Sequence, residues 1–342
     1  MIWLTWRQLR AQALTAAAAL AAFAILLGAT GPHLAGLYAA SGLGGCQGGS
    51  CANAASTFLS QLSTDDLYHV VYPLGLALIL VAPAMLGIFW GAPLIAREFE
   101  TGTYGLAWNQ SVTRTRWLAV KLTLTGLAAM AVTEALALMH AWWADPISKA
   151  IALGGNDSVF TGGRFSSPTF ACQGITPLGY AAFAFALGTA AGALIRRTLP
   201  AMAVTLAIFA VVQIAMPLWV RPHLIPPDQA ITTINEAQVN YGGLTANVVP
   251  GQPGAWIVAS GAVNAAGQPV SARPASCFPA SPSATFTGDP AQCMDKLGIR
   301  EVITYQPASR YWPLQLIETG IFLVLALALA WLCFWRLGRR RT

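Results

Sequence analysis

Apolar residues in this chain occur in long unbroken runs, not in alternation. Six runs reach the roughly 20 residues that cross a hydrocarbon core of about 30 Å. They are Gln12–Gly31, Val70–Ile95, Trp117–Trp143, Thr176–Ile195, Leu199–Val220 and Pro313–Trp335. All are rich in Ala and Leu and lack the ten-residue alternating segments of a membrane barrel. The pattern predicts an all-α polytopic membrane protein with six transmembrane helices. Ahead of the first run, Ile2, Trp6 and Leu9 share one helical face, which predicts an interfacial amphipathic helix over residues 1–11. Arg7 and Arg10 before an apolar stretch also resemble a signal peptide. The stretch Ala11–Ala29 exceeds the usual signal core of about 7–15 residues, which favours a retained anchor.

The segments between the runs differ in character. Pro32–His69 and Ala144–Ile175 are Gly-, Ser- and Ala-rich and read as loops. Arg196-Arg197-Thr198 is so short that the fourth and fifth spans must form a tight hairpin. Arg221–Trp312 is rich in Gly, Pro, Ala and Ser and predicts a loop-rich domain. Within it, Ala255–Ala259 and Glu301–Tyr305 read as short strands. The expected organisation is therefore 1–11 interfacial helix, 12–220 spans one to five, 221–312 extramembrane domain, and 313–342 sixth span with a basic tail.

Composition removes the soluble alternative. Only 9% of residues are charged while 56% are hydrophobic; a soluble domain carries about a quarter charged. The net charge of +6 then bears on orientation instead of on nucleic acid. With both termini cytoplasmic, 12 of the 19 Lys and Arg fall on the inner side, against only Glu98 and Glu100. The positive-inside rule selects that topology, with 221–312 external. Cys46, Cys51, Cys172, Cys277 and Cys293 then lie outside, where oxidation is permitted. Cys46 and Cys51 could close a short loop and Cys277 and Cys293 could bracket another, with connectivity open and Cys172 left over.

No catalytic set is recognisable. No Gly-Lys pair exists to build a phosphate loop, and no H-E-x-x-H or G-x-S-x-G occurs. His33, His69, His140 and His223 are scattered near span ends and are not spaced for a metal. Two carboxylates fall within spans, and an intramembrane ionisable group is a functional candidate by default. Glu134 lies 17 residues past Trp117, about 25 Å along a helix, and Glu318 lies six past Trp312, about 9 Å. With Gln213, they would sit in the outer third of the bilayer, where they could line a polar translocation path. The competing role is hydrogen bonding between helices. Gly188-x-x-x-Gly192 permits close helix approach, and packing within the bundle is favoured over dimerisation. Pro83 and Pro93 should kink the second span.

The segment Ala96–Arg116 carries two carboxylates, a Gly-Thr, an apolar Leu106/Trp108 pair and then a basic cluster. Here the chain resembles the permease subunit of a type-2 ABC exporter, a bacterial system to which the Ala-, Gly- and Arg-rich composition also points, specifically an actinobacterial one. Glu98, Glu100, Gly102, Thr103, Leu106, Val112, Thr113 and Arg114 match that family's E-x-E-x-G-T element, apolar short helix and Val-Ser/Thr-Arg segment. The sequence departs at Asn109-Gln110-Ser111, where the family has Thr/Ser-Pro, and 221–312 exceeds the family's short external helices. The resemblance implies that 96–116 is a coupling loop for a separate ATP-binding-cassette subunit, with Glu98, Glu100, Gly102, Thr103, Leu106, Trp108 and Arg114 as its residues. It implies that ATP and Mg bind the partner and not this chain, which is itself no enzyme. It implies a dimer with a second copy or paralogue in a plasma membrane. The other reading is an anchored sensor or accessory subunit whose external domain binds a partner.

Overall fold

The computed structural model describes residues 2–46, 51–102, 113–155, 157–160, 163–234, 239–240, 243–244, 249, 252, 254–278 and 289–338. Two compact units emerge, Met1–Arg221 joined with Pro313–Thr342, and Pro222–Trp312.

The first unit is helical. Its elements are α1 (Ile2–Ala40), α2 (Cys51–Thr64), α3 (Asp66–Leu86), α4 (Ala92–Thr101) and α5 (Arg114–Trp143). Then follow α6 (Asp145–Ala152), α7 (Ser167–Cys172), α8 (Thr176–Ile195) and α9 (Thr198–Ala215), and after the second unit α11 (Tyr311–Gly338). Six helices are long and apolar enough to cross a membrane: Arg10–Ala40, Asp66–Thr101, Thr115–Trp143, Thr176–Ile195, Thr198–His223 and Ala308–Arg336. The chain is a multi-pass membrane protein. α1 runs unbroken from Ile2 into the first span, with Pro32 inside it.

Span four is the hub. In its most apolar stretch 83% of residues are buried inside the protein, against 11% for span one and 22% for spans five and six. Small residues permit this. A Cβ at Gly188 would overlap the Gly87 carbonyl oxygen, and one at Gly192 would overlap that of Ala92. The Gly-x-x-x-Gly face therefore brings α8 into backbone contact with span two. The contact falls at a π-helical turn, Gly87–Gly91, which lies between Pro83 in α3 and Pro93 at the start of α4. Such turns relax the helical ladder at a point of close approach.

Two segments read as loops are partly helical. In α2, Cys51, Ala55, Phe58, Leu59 and Leu62 form a buried stripe at helical spacing. It joins a core with Tyr68, Tyr72, Trp143, Phe160 and Cys172. The Gly- and Ser-rich character of 32–69 is concentrated at its start, and Ala-rich sequence beyond it favours helix. A disulfide joins Cys46 to Cys51, the first residue of α2.

The second unit corrects the all-α expectation. It holds a four-stranded antiparallel sheet ordered β1 (Asp228–Thr232), β6 (Arg300–Gln306), β4 (Trp256–Val263) and β5 (Pro269–Val270). A separate pair is formed by β2 (Val239–Asn240) and β3 (Gly243–Leu244). The expected strand 301–305 lies within β6 and all but Ala255 of 255–259 lies within β4, and the two strands pair with a bulge between Ile257 and Ala259. Short runs of Val, Ile, Thr and Tyr suit a half-buried pleated surface. Ala262, Met294 and Ile299 pack with the Cys277–Cys293 disulfide and α10 (Pro290–Lys296).

One residue of this sheet is out of place by composition. Glu301 on β6 is fully buried, and neither carboxylate oxygen has a hydrogen-bond partner among the described residues. Thr232 and Ala262 stand opposite it on the flanking strands. Desolvation raises its pKa above the ordinary carboxylate value. The folded state therefore holds the proton more tightly than the unfolded state. That stability is complete below the unfolded pKa and is lost as pH rises toward the folded one. Glu301→Gln should remove the slope: rates of limited proteolysis within 222–312 should match wild type at pH 4 and be slower than wild type at pH 8.

Candidate functional site

Two polar clusters interrupt the apolar bundle, one at each end of the spans. The first lies where α4 ends. Its carboxylates, two residues apart on the last turn, project from opposite sides of the helix onto different neighbours. Glu98 forms an ion pair with Lys121 of α5, whose side chain is buried beneath Trp117 with Nζ 4.7 Å from the ring centre. The second Glu98 oxygen, Oε2, has no partner among the described residues. Glu100 accepts from the Thr198 backbone N–H at 2.8 Å and from the Thr198 hydroxyl at 2.6 Å. A carboxylate placed on the first free N–H groups of α9 caps that helix and meets the positive end of its dipole. Between them, Phe99 lies under the Arg196 guanidinium at 5.1 Å. Arg196 adopts the left-handed conformation (φ 60°) that ends α8, and so makes the two-residue hairpin into α9.

The acid pair thus ties span two to span three and to the hairpin between spans four and five. The segment after it is bracketed by two local stop and start signals. Gly102 takes a left-handed φ of 69°, a common C-terminal helix cap. Thr113 accepts the Arg116 N–H at 3.4 Å and starts α5, whose first residue is Arg114. Thr103, Leu106 and Trp108 lie outside the described residues.

The second cluster lies at the opposite end of the spans, around the start of α8. Arg221, the last residue of the first unit before the insertion, is fully buried and reaches Glu318 of α11 with two bonds, Nε to Oε2 at 2.8 Å and Nη2 to Oε1 at 2.9 Å. The Tyr180 hydroxyl donates to Glu318 Oε1 at 3.0 Å, and the Arg221 guanidinium stacks 4.1 Å from the centre of Phe170. A π-helical turn, Met216–Val220, with Pro217 at its start, precedes Arg221. Its extra residue rotates the chain relative to a regular helix and aims an end-of-span arginine inward.

Gln315, one turn from Glu318, extends the cluster. Its Oε1 accepts from the Ile175 and Thr176 backbone N–H groups at 3.1 and 3.0 Å and from the Thr176 hydroxyl. Its Nε2 donates to the carbonyls of Phe170 and Gln173 at 3.0 and 3.1 Å. A side chain from span six therefore caps span four and grips both sides of Cys172, which is buried and free.

Of the three intramembrane candidates, Glu318 is thus held by Arg221 and Tyr180. Glu134 on α5 lies beside the Leu178 backbone amide, and its Oε2 has no partner among the described residues. Gln213 on α9 lies one turn beyond Phe209, which packs edge-on against Tyr180, and its Oε1 is likewise without a partner. All three surround the first turns of α8, each on a different helix, and no hydrogen bond joins them to one another among the described residues. A furrow of about 370 Å³ lined by Gly31, Ala35 and Trp142 borders none of the three.

Arg221, Lys121, Tyr180, Gln315 and Thr198 were not singled out by sequence. Arg221 and Lys121 stood only as charges flanking spans. The signal that existed was demand: a carboxylate inside a span needs a cation or donors. Among the described residues no group of His, Cys, Asp and Glu could hold a metal ion.

Among families of known proteins, the model described as ABC-2 membrane transporter related matches residues 17–221, more than half of the chain. No curated protein and no solved structure matches it.

Proposed function

The chain belongs to the ABC-2 membrane transporter related family, and from that premise we propose that it is the permease subunit of an ATP-driven exporter. It works with a separate P-loop ATPase subunit and a second permease chain, in a plasma membrane, with both termini and 103–112 cytoplasmic. In this reading the unit 222–312 is external, which agrees with its disulfide.

The observation that carries the reading is the carboxylate clamp on α4. An interface that drives a transporter must move several spans together. Glu98 and Glu100 join span two to span three and to the span four–five hairpin at the mouth of the 103–112 segment. A force applied to that segment reaches four spans through bonds already in place. Leu106 and Trp108 supply the apolar anchor that such a contact uses, since removing a buried aromatic anchor typically costs about 2 kcal/mol or more of binding, whereas rim charges cost little. The basic composition of the C-terminus suits attraction to anionic lipid instead.

The test is affinity purification of the full chain in mild detergent, followed by ATPase and transport assays in reconstituted vesicles. A P-loop ATPase should co-elute with wild type. Leu106→Ala/Trp108→Ala should release it or uncouple hydrolysis from transport, and Arg340→Ala should not. Wild-type coupling in the double variant would sink the assignment. Absence of any ATPase, with another protein retained by 222–312, would favour the accessory-subunit reading.

A further inference from the structure

We propose that Arg221, Glu318, Tyr180 and Gln315 form a latch that holds span six against spans four and five, and whose state sets access to the segment 167–176. The latch is beyond the transport reading and does not require it; only its drive by ATP rests on that reading.

Three observations carry it. First, spans five and six are lightly buried, with 22% of each apolar stretch inside the protein. Beside apolar packing through Ala182, Phe183, Ala186 and Ala191, their hold on the hub includes a concentrated cluster of contacts at one end. Those contacts are the Arg221–Glu318 pair, the Tyr180 hydroxyl, the Gln315 amide and the packing of Phe322 on Tyr180 at 4.3 Å.

Second, the choice of chemistry is unsuited to permanent cohesion. An apolar pair of the same volume commonly holds a buried site as well as or better than an ion pair. Ion pairs and amide hydrogen bonds are directional and exchangeable, so they make a contact that is either formed or released. Both charges lie near the end of their span: Arg221 ends the fifth, and Glu318 is only six residues, about 9 Å, past Trp312. On release, each side chain can extend to the interface instead of being stranded in hydrocarbon.

Third, the latch grips one side of the segment 167–176, whose other side packs against α3. The short helix α7 is held by Gln315 through the Phe170 and Gln173 carbonyls and by the stacking of Arg221 on Phe170. Cys172 sits between those grips, fully buried, its thiol against the Leu76 carbonyl at 3.4 Å. Parting of the latch removes the grips on both sides of Cys172 and leaves α7 to its packing on α3, whose opening then exposes the thiol.

The chain carries its own reporters. Cys46–Cys51 and Cys277–Cys293 are oxidised, which leaves Cys172 beside the latch and Cys333 at the other end of span six, both buried. The experiment is N-ethylmaleimide labelling of the full chain in vesicles, with each thiol quantified by peptide mass. The variant Arg221→Met/Glu318→Met removes the pair without stranding a charge. Expected is a rise of about tenfold or more in the Cys172 rate, the size set by a local opening equilibrium shifted tenfold, with Cys333 and the melting temperature unchanged. Gln315→Met should raise the Cys172 rate in the same direction, and decides the matter should the double variant fail to accumulate.

An unchanged Cys172 rate overturns the latch. A rise matched by Cys333 and a lowered melting temperature also overturns it, since that is general loosening. A separate arm adds ATP to wild type with its co-purified ATPase. Faster Cys172 labelling there ties the latch to the transport cycle. No ATP response, with the variants still labelling fast, leaves the latch standing and counts against ATP coupling.

Discussion

Arg221→Met alone should be among the most damaging single substitutions in the chain. It leaves Glu318 fully buried with one neutral donor, Tyr180, where it had a bidentate cation. Stranding one member of a buried pair costs about 3–5 kcal/mol, whereas removing both is often neutral. That single-substitution cost is comparable with the whole stability of a small domain. The measurement is the melting temperature and the folded yield in detergent for both single variants and for the double. The single variants should fall well below wild type and Arg221→Met/Glu318→Met should melt with wild type. Equal losses in all three would mean that packing, not charge, is what the pair supplies.

Gly188→Ala should be nearly as severe through a different cause. The added methyl meets the carbonyl oxygen of Gly87, which is backbone held in the π-helical turn and has no rotamer to yield. Overpacking typically costs about 1–3 kcal/mol, and occasionally more when nothing can move. The loss falls on the contact between spans two and four, so span two must separate from the hub. Gly28→Ala is the control: nothing lies within 4 Å of its added Cβ, and Ala is the better helix former. Thermal melts should show a large loss for the first substitution and none for the second.

These two cases mark what sequence could and could not supply. The spans were legible because a bilayer demands about 20 apolar residues and little else does. The Gly188/Gly192 face was legible as a close-approach motif, but its partner was not, since the partner is backbone at Gly87 and Ala92. Glu318 stood out because a charge inside a span is costly. Arg221 did not, because its position at a span end made it resemble an ordinary loop cation, and its inward aim depends on the π-helical turn before it. Lys121 was lost the same way, counted with the basic flank of span three yet buried on Glu98. The strands at 255–259 and 301–305 were visible in their Val, Ile and Thr content, but composition around them argued for loops. The helices within 32–69 were missed because a Gly-rich beginning outweighed the stripe of Ala55, Phe58, Leu59 and Leu62. Cysteine spacing pointed to both bridged pairs and left Cys172 over, as observed.

The Arg221–Glu318 pair also has a history during synthesis. Its members are 97 residues apart, and chains elongate at about 5–20 residues per second, so Arg221 emerges roughly 5–20 s before its counter-ion exists. Through that interval span five must be retained with an unpaired arginine at its end, a position from which the side chain can reach the headgroup layer. Span six then enters with Glu318 near its end, where a lone acid opposes insertion by less than the about 2.5–3.5 kcal/mol that applies at a helix centre. Pairing with the waiting arginine offsets that opposition. Arg221 is thus a retention signal for the last span, and its loss should first appear as chains whose C-terminal helix has failed to stay in the membrane.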